Sequence, residues 1–396
     1  MSGLRSGGVG TGVLEEGSRL DPSRLRAERR RRCLDAMERH GLDALVLGRE
    51  ANARFAAGAR RLWTAGTRPF GPGCVVVGQT GSVHLLSSWD DGIPPEVGHD
   101  QLFGITWNGA NLFANLAAIP GLTSSRRIGV DGMSQGMAQL LGTLAPGAQL
   151  VDASAVLMAA RRRKSPDEVA CLQVAAAVAD GALEWGGAHL RPGVNGAHLA
   201  GRVAARAAEL GVTAPDVEAT FAVTSPPPWP ASTGEADPGR TGARDGFDAG
   251  SLVTGEFGVL FLGYEGVASD TWCCPAPGTP LNGYEARAGE LWERRIELAR
   301  ALADACRPGR PVGDLLEAYR RSGESLPAAP VAHGVGLGME PPLVGQGLPP
   351  DAGAAMELEP GMVLCLNACV RHETLGSVRT FAMVLVDESG AEPLSG

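Results

Sequence analysis

The run Lys164-Ser165-Pro166-Asp167-Glu168 constrains this chain more than any other, because it marks where one architecture stops and another begins. A serine ahead of a proline, with a glutamate three residues after the serine, is a helix start. The side chains cap free N–H groups of the first turn, and the proline ring presets the helical φ. Small and apolar residues then keep helical spacing from Asp167 to about Leu190. Upstream, the pattern predicts a helix over Pro22 to Gly41, a buried strand over Leu42 to Leu47, and a hairpin of Cys74 to Val77 with Val83 to Leu86. A strand at Arg127 to Asp131, a helix from Ser134 to Leu144 and a strand at Leu150 to Ala153 complete an α/β unit. Downstream, helices over Gly196 to Leu210 and Tyr284 to Cys306 are interleaved with strands at Thr220 to Val223, Leu252 to Phe261 and Met362 to Val370. That order predicts helices on one side of a curved antiparallel sheet, an α+β unit. The expected division is a flexible tail over 1–21, an α/β domain over 22–160 and an α+β domain over 161–396.

Composition narrows the function classes. The 396 residues are 44% hydrophobic and 20% charged with a net charge of -9, a globular balance that argues against nucleic-acid binding. The basic run Arg26 to Arg32 reads as the solvated face of the first helix. No run of eighteen apolar residues and no signal-like start is present, so the expected setting is the cytoplasm, away from membranes. Eight cysteines without CxxC spacing fit reduced thiols better than a disulfide framework or a zinc site. Ser225 to Gly250, proline-rich and then glycine-rich, is long for a loop inside a compact domain and is expected to be functional or mobile.

Several motifs together carry a family resemblance. In the N-terminal half these are Gly41-Leu42-Asp43-Ala44-Leu45, Asn52 to Gly58, Ile128-Gly129-Val130-Asp131 and Arg163-Lys164-Ser165 with Glu168. In the C-terminal half they are Gly263-Tyr264, the histidine loop Ala332-His333-Gly334-Val335-Gly336-Leu337, Leu358 to Val363, and Val384-Leu385-Val386 with Gly390. The chain resembles the pita-bread superfamily of methionine aminopeptidase, prolidase, Xaa-Pro aminopeptidase and creatinase. The resemblance implies a creatinase-like α/β domain followed by an α+β pita-bread domain, and a homodimer in which the N-domain of one chain lies near the site of the other.

The peptidases of that superfamily hold two ions with carboxylates and histidine converging from separate strands. Carried over residue by residue, the first aspartate falls at Glu256 and the second at Val267, with Asp270 the candidate if three residues are shifted. The glutamates fall at Asn367 and Phe381, and the second histidine of the loop is replaced by Met339 or Glu340. The resemblance therefore implies a metal-ligand-depleted member that uses neither metal nor other cofactor, in the manner of creatinase.

His333 and Glu256 are the candidate acid/base pair, although Glu256 can equally be in a salt bridge to Arg379. Strand alternation puts Cys365, Asn367 and Cys369 on one face, making Asn367 a substrate-orienting candidate and Cys365 a thiol that is either nucleophile or packing. Asp270 as a second acid, Arg68 as a carboxylate clamp, Trp229 as a lid, and Arg379 and Glu340 complete the candidate substrate contacts. The leading expectation is a metal-independent, creatinase-like enzyme that hydrolyses a carbon-nitrogen bond of a small nitrogen-containing metabolite by histidine acid/base work. The alternatives are elimination, cyclisation or isomerisation in a specialised pathway, a catalytically dead binding protein, or a divergent X-Pro metallopeptidase holding one ion through Glu256, Asp270 and His333.

Overall fold

Ser165 caps its helix as the sequence requires, accepting from the Glu168 N–H, while the Glu168 carboxylate accepts from the Ser165 N–H at 2.9 Å. The computed structural model describes residues 20–58, 73–88, 90, 92–224, 246–275, 284–348 and 355–395, and it divides near this cap into a unit of 21–161 and a unit from 162 onward.

In the first unit, α1 (Pro22–Arg39), β1 (Ala44–Leu47), α2 (Glu50–Ala57), β2 (Cys74–Val77), β3 (Ser82–Leu86) and β4 (Leu102–Phe103) precede α3 (Gly109–Ala117) and β5 (Arg127–Asp131). Then come α4 (Gln135–Leu144), β6 (Gln149–Asp152) and α5 (Ser154–Arg162). The strands form one mixed sheet in the order β4-β3-β2-β1-β5-β6, with β1 parallel to β5 and antiparallel to β2. Asp131 locks the end of β5 to the turn that leads from β1 into α2, accepting from the Arg49 N–H and, at 2.6 Å, from Asn52 Nδ2.

The second unit holds α6 (Pro166–Ala188), α7 (Gly196–Glu209), β7 (Thr220–Val223), β8 (Leu252–Phe261), β9 (Tyr264–Cys273), α8 (Tyr284–Ala305) and α9 (Asp314–Arg321). It ends with β10 (Ala332–Gly336), β11 (Gly338–Val344), β12 (Val363–His372), β13 (Gly376–Val386) and β14 (Ala391–Pro393). Among the described residues the sheet order is β11-β10-β12-β13-β9-β8-β7, all antiparallel. It curls strongly, since β9 touches β10 and β11 although β12 and β13 lie between them. Alternation along each strand divides the side chains between two faces. On the outer face Leu364, Leu366, Val370 and Val378 pack against Leu291, Leu298 and Leu302 of α8 and Tyr319 of α9. Gly266 of β9 faces α6 so closely that a Cβ there would stand 2.1 Å from the Ala175 carbonyl carbon, so only glycine lets the helix lie on the sheet. This is the expected α/β plus α+β pair with helices on one side of a curved sheet. No helix among the described residues is long and apolar enough to cross a membrane.

Candidate active site

The inner face of the curled sheet collects most of the candidate residues by register alone. His333 of β10 stands opposite Cys365 of β12, which stands opposite Met383 of β13, and the Val267 N–H of β9 reaches Met383 Sδ at 3.4 Å. Val267 in turn pairs with Gly258 of β8. These residues form one transverse row across five strands. The next row contains Asn367, Phe381, Ser269 and Glu256 on the same face, because Asn367 pairs with Phe381 and Ser269 with Glu256.

His333 is 7% exposed and its Nε2 has no hydrogen-bond partner, with burial lowering its pKa to about 4. At neutral pH it is a neutral imidazole, a ring that can accept a proton or hydrogen-bond a ligand but has no second proton to give. Asn367 is 1% exposed; its Nδ2 donates to the Pro330 carbonyl at 3.1 Å, leaving Oδ1 without a partner. Two deeply buried, unsatisfied polar atoms on one face are costly, roughly 1–3 kcal/mol each, unless a ligand or solvent satisfies them. Glu256 is ion-paired with Arg379 at 3.3 Å, the salt-bridge reading of that carboxylate, and the Arg379 guanidinium lies 5.4 Å from the Phe381 ring centre. Cys365 is fully buried and burial pushes its thiol well up, which favours the packing reading of that residue.

One expectation is corrected. Asp270 pairs with Gly255 and Thr380 on the outer face and is ion-paired with Arg295 of α8, so it cannot act beside Glu256 or His333. Gly334 and Gly336, which follow His333, have no room for a side chain. A Cβ on Gly334 would meet the Pro341 carbonyl at 2.7 Å, and one on Gly336 would meet the Glu340 carboxylate at 2.8 Å. The buried residue at the place of the family's second histidine is Glu340, 5% exposed, whereas Met339 is 57% exposed. Glu340 is ion-paired with Lys164, both side chains almost fully buried. Arg68 and Trp229 lie outside the described residues.

Sequence reading missed two carboxyls. Glu265, 3% exposed on the inner face of β9, is hydrogen-bonded to Asp216, and burial followed by the Asp216 charge holds its pKa well above the carboxylate range. Asp216 is raised too, mainly by burial. The available signal was period-two alternation from Val267 back to Glu265, which puts a carboxylate on a buried face.

Comparison with known proteins fits this geometry. Residues 29–163 match the creatinase/prolidase N-terminal domain, and residues 170–388 match metallopeptidase family M24, more than half of the chain. The chain belongs to metallopeptidase family M24. Among solved structures it is similar to the prolidase of Pyrococcus horikoshii OT3 (TM-score 0.72, 19% identity, covering 93% of this chain and 97% of that one). It is also similar to the Xaa-Pro dipeptidase of Bacillus anthracis (0.70, 17%, 93% and 97%) and to dipeptidase PepE of Mycobacterium ulcerans (0.68, 22%, 96% and 97%). No curated protein matches it in sequence. These findings overturn the leading expectation of a metal-independent, creatinase-like enzyme of small-metabolite chemistry. The M24 match and a run of prolidase and X-Pro peptidase folds favour the X-Pro peptidase alternative instead.

The metal in the family's name does not fit the residues present. Among the described residues no group of three or more His, Cys, Asp or Glu is placed to hold an ion, which also removes the single-ion set of Glu256, Asp270 and His333. Val267, Asn367 and Phe381 supply no anionic oxygen, while Glu256, Glu340 and Asp270 are each engaged by a basic side chain.

Proposed function

We propose that this M24 protein is a divergent hydrolase of the X-Pro peptidase group that cleaves the carbon-nitrogen bond of a short peptide on the inner face of its curled sheet. The observation that carries the reading is the paired, unsatisfied His333 Nε2 and Asn367 Oδ1 on that face, in a chain whose fold and family are those of peptidases. A short X-Pro peptide offers what these atoms lack: N–H donors of its terminal ammonium for Asn367 Oδ1, since the X-Pro bond itself has no N–H, and a polar partner for the His333 ring. Arg379, held by Glu256, adds a fixed cation to the same face. Backbone donors and acceptors are the common property of peptides, so the site would select chain length and the residue at the cut through its apolar lining of Val267, Phe381 and Met383. The test is a panel of X-Pro dipeptides, X-Pro tripeptides and matched peptides lacking proline, with release of the products followed chromatographically. Cleavage confined to short X-Pro peptides supports the reading, and inertness toward the whole panel refutes it.

A further inference from the structure

Breaking a carbon-nitrogen bond requires a proton on the departing nitrogen, and the inner face offers few groups able to give one. His333 is neutral, so the imidazolium form that could donate is scarce at pH 7. The Cys365 thiol is held too tightly to be a useful acid. Arg379 is already bound to Glu256, and Lys164 to Glu340.

Glu265 is different in placement as well as in chemistry. It lies two residues before Val267 and faces the same way, and its Oε2 is buried with no hydrogen-bond partner in the structure. Its carboxyl meets Asp216, which comes from the extended segment leading into β7. There the Asp216 N–H donates to the Gly258 carbonyl at 3.0 Å. A Cβ on Gly258 would stand 3.0 Å from the Val217 nitrogen, so the missing side chain lets the segment that carries Asp216 lie directly against β8. Two carboxyls this close in a low-dielectric interior do not both ionise, so the pair holds one proton through neutral pH. The other charges bearing on it are the Glu340 carboxylate on β11, with its Lys164 partner, and more remotely Glu256 with Arg379; Cys365 and His333 are neutral. Glu340 adds negative charge and so reinforces retention of the proton.

We propose that Glu265, hydrogen-bonded to Asp216, is the general acid of this site and delivers its proton to the leaving nitrogen of the scissile bond. The inference rests on the hydrolase reading above. In the step, the oxygen of water bonds to the acyl carbon, the carbon-nitrogen bond breaks, and the nitrogen takes the Glu265 proton. Asp216 takes the proton that the water loses, and the hydrogen bond between the carboxyls returns a proton to Glu265. The products are a carboxylic acid and an amine, and the pair ends as it began.

The test compares the full chain with Glu265→Gln and Asp216→Asn on two compounds, glycyl-L-proline and the p-nitrophenyl ester of glycine, whose leaving group departs as a stable anion. Glu265→Gln is expected to lower kcat on the dipeptide by roughly 10²–10⁴-fold, the usual contribution of a positioned acid, and to spare the ester. Asp216→Asn is expected to lower kcat on both compounds, since the acceptor of the water's proton is gone, and to move the alkaline limb of the residual kcat/KM profile to lower pH, because the like charge that retains the Glu265 proton is gone. Equal loss on both compounds in Glu265→Gln, or an unmoved alkaline limb in Asp216→Asn, overturns the proposal. Infrared difference spectra at pH 7 give a second readout: a carboxylic-acid C=O band present in the parent and missing from Glu265→Gln supports it, and no such band in the parent overturns it. If the parent cleaves neither compound, the hydrolase reading falls, and the infrared band alone decides whether Glu265 carries the proton.

Discussion

Replacing Lys164 with methionine isolates a buried ion pair of the C-terminal unit. The Lys164 ammonium and the Glu340 carboxylate are 2% and 4% exposed and ion-paired, and Lys164 Nζ also donates to the Arg162 carbonyl at 3.0 Å. Methionine keeps most of the aliphatic stem and removes the charge, so the cost is mainly that of leaving Glu340 without its cation in a buried setting. Breaking a buried ion pair from one side costs about 3–5 kcal/mol, and the lost bond to Arg162 adds about 1 kcal/mol. At 1.4 kcal/mol per tenfold, that is an unfolding constant raised on the order of a thousandfold or more. The assay is urea unfolding at pH 7 followed by tryptophan fluorescence, for the parent, Lys164→Met, and the double variant Lys164→Met with Glu340→Leu. The double variant should recover most of the loss, because removing both charges also removes the uncompensated anion. A single variant that costs under about 1 kcal/mol, or a double variant as unstable as the single, would refute the reasoning, since either result means the pair is not buried and mutually dependent.

Three further outcomes follow from the same chemistry. His333 has a folded-state pKa lowered from 6.5 to about 4, so its contribution is fully present above pH 6.5 and is lost as pH falls toward 4. Its replacement by glutamine should reduce the acid-side loss of stability by up to about 3 kcal/mol, read from unfolding curves between pH 7 and 4, and an unchanged slope would contradict its burial. Glu265 has a raised folded-state pKa, so its contribution is present below the ordinary glutamate range and declines as pH rises toward the raised value. Glu265→Gln should therefore flatten the alkaline loss of stability, and a profile parallel to the parent's would count against the shared proton. Gly266→Ala places a Cβ against the α6 backbone and should cost about 1–3 kcal/mol or more, with a fall in soluble yield; a neutral result in thermal unfolding would mean that α6 does not lie on β9 as described.

Much of the architecture was legible because its signals are local. The Ser165 to Glu168 cap, the Cys74 to Leu86 hairpin and the long helix that follows Pro166 each depend on residues a few positions apart. Expected ends differ from observed ones by at most two residues; the helix expected to reach Gly41, for example, stops at Arg39. The short helices α2, α3, α5 and α9 were missed, because eight or nine residues leave too few repeats for a period to show. At the site, alternation correctly put Cys365, Asn367 and Cys369 on one face, and register then placed His333 opposite Cys365. Asp270 was misplaced for the complementary reason: the three-residue shift that recruits it says nothing about which face a strand residue takes, and one position along β9 decides it. The Glu265 and Asp216 pair joins residues from separate segments, and Lys164 with Glu340 joins residues 176 apart in sequence, so neither contact has a local signature.

The most direct test of the account is proline release from glycyl-L-proline by the full chain and by a His333→Ala, Asn367→Leu double variant whose fold is verified by circular dichroism. Saturable release by the parent and a loss of at least about a hundredfold in the variant are predicted, since both unsatisfied polar atoms of the inner face are then gone. Equal release by parent and variant would contradict the account, because the cut would then be made elsewhere on the chain.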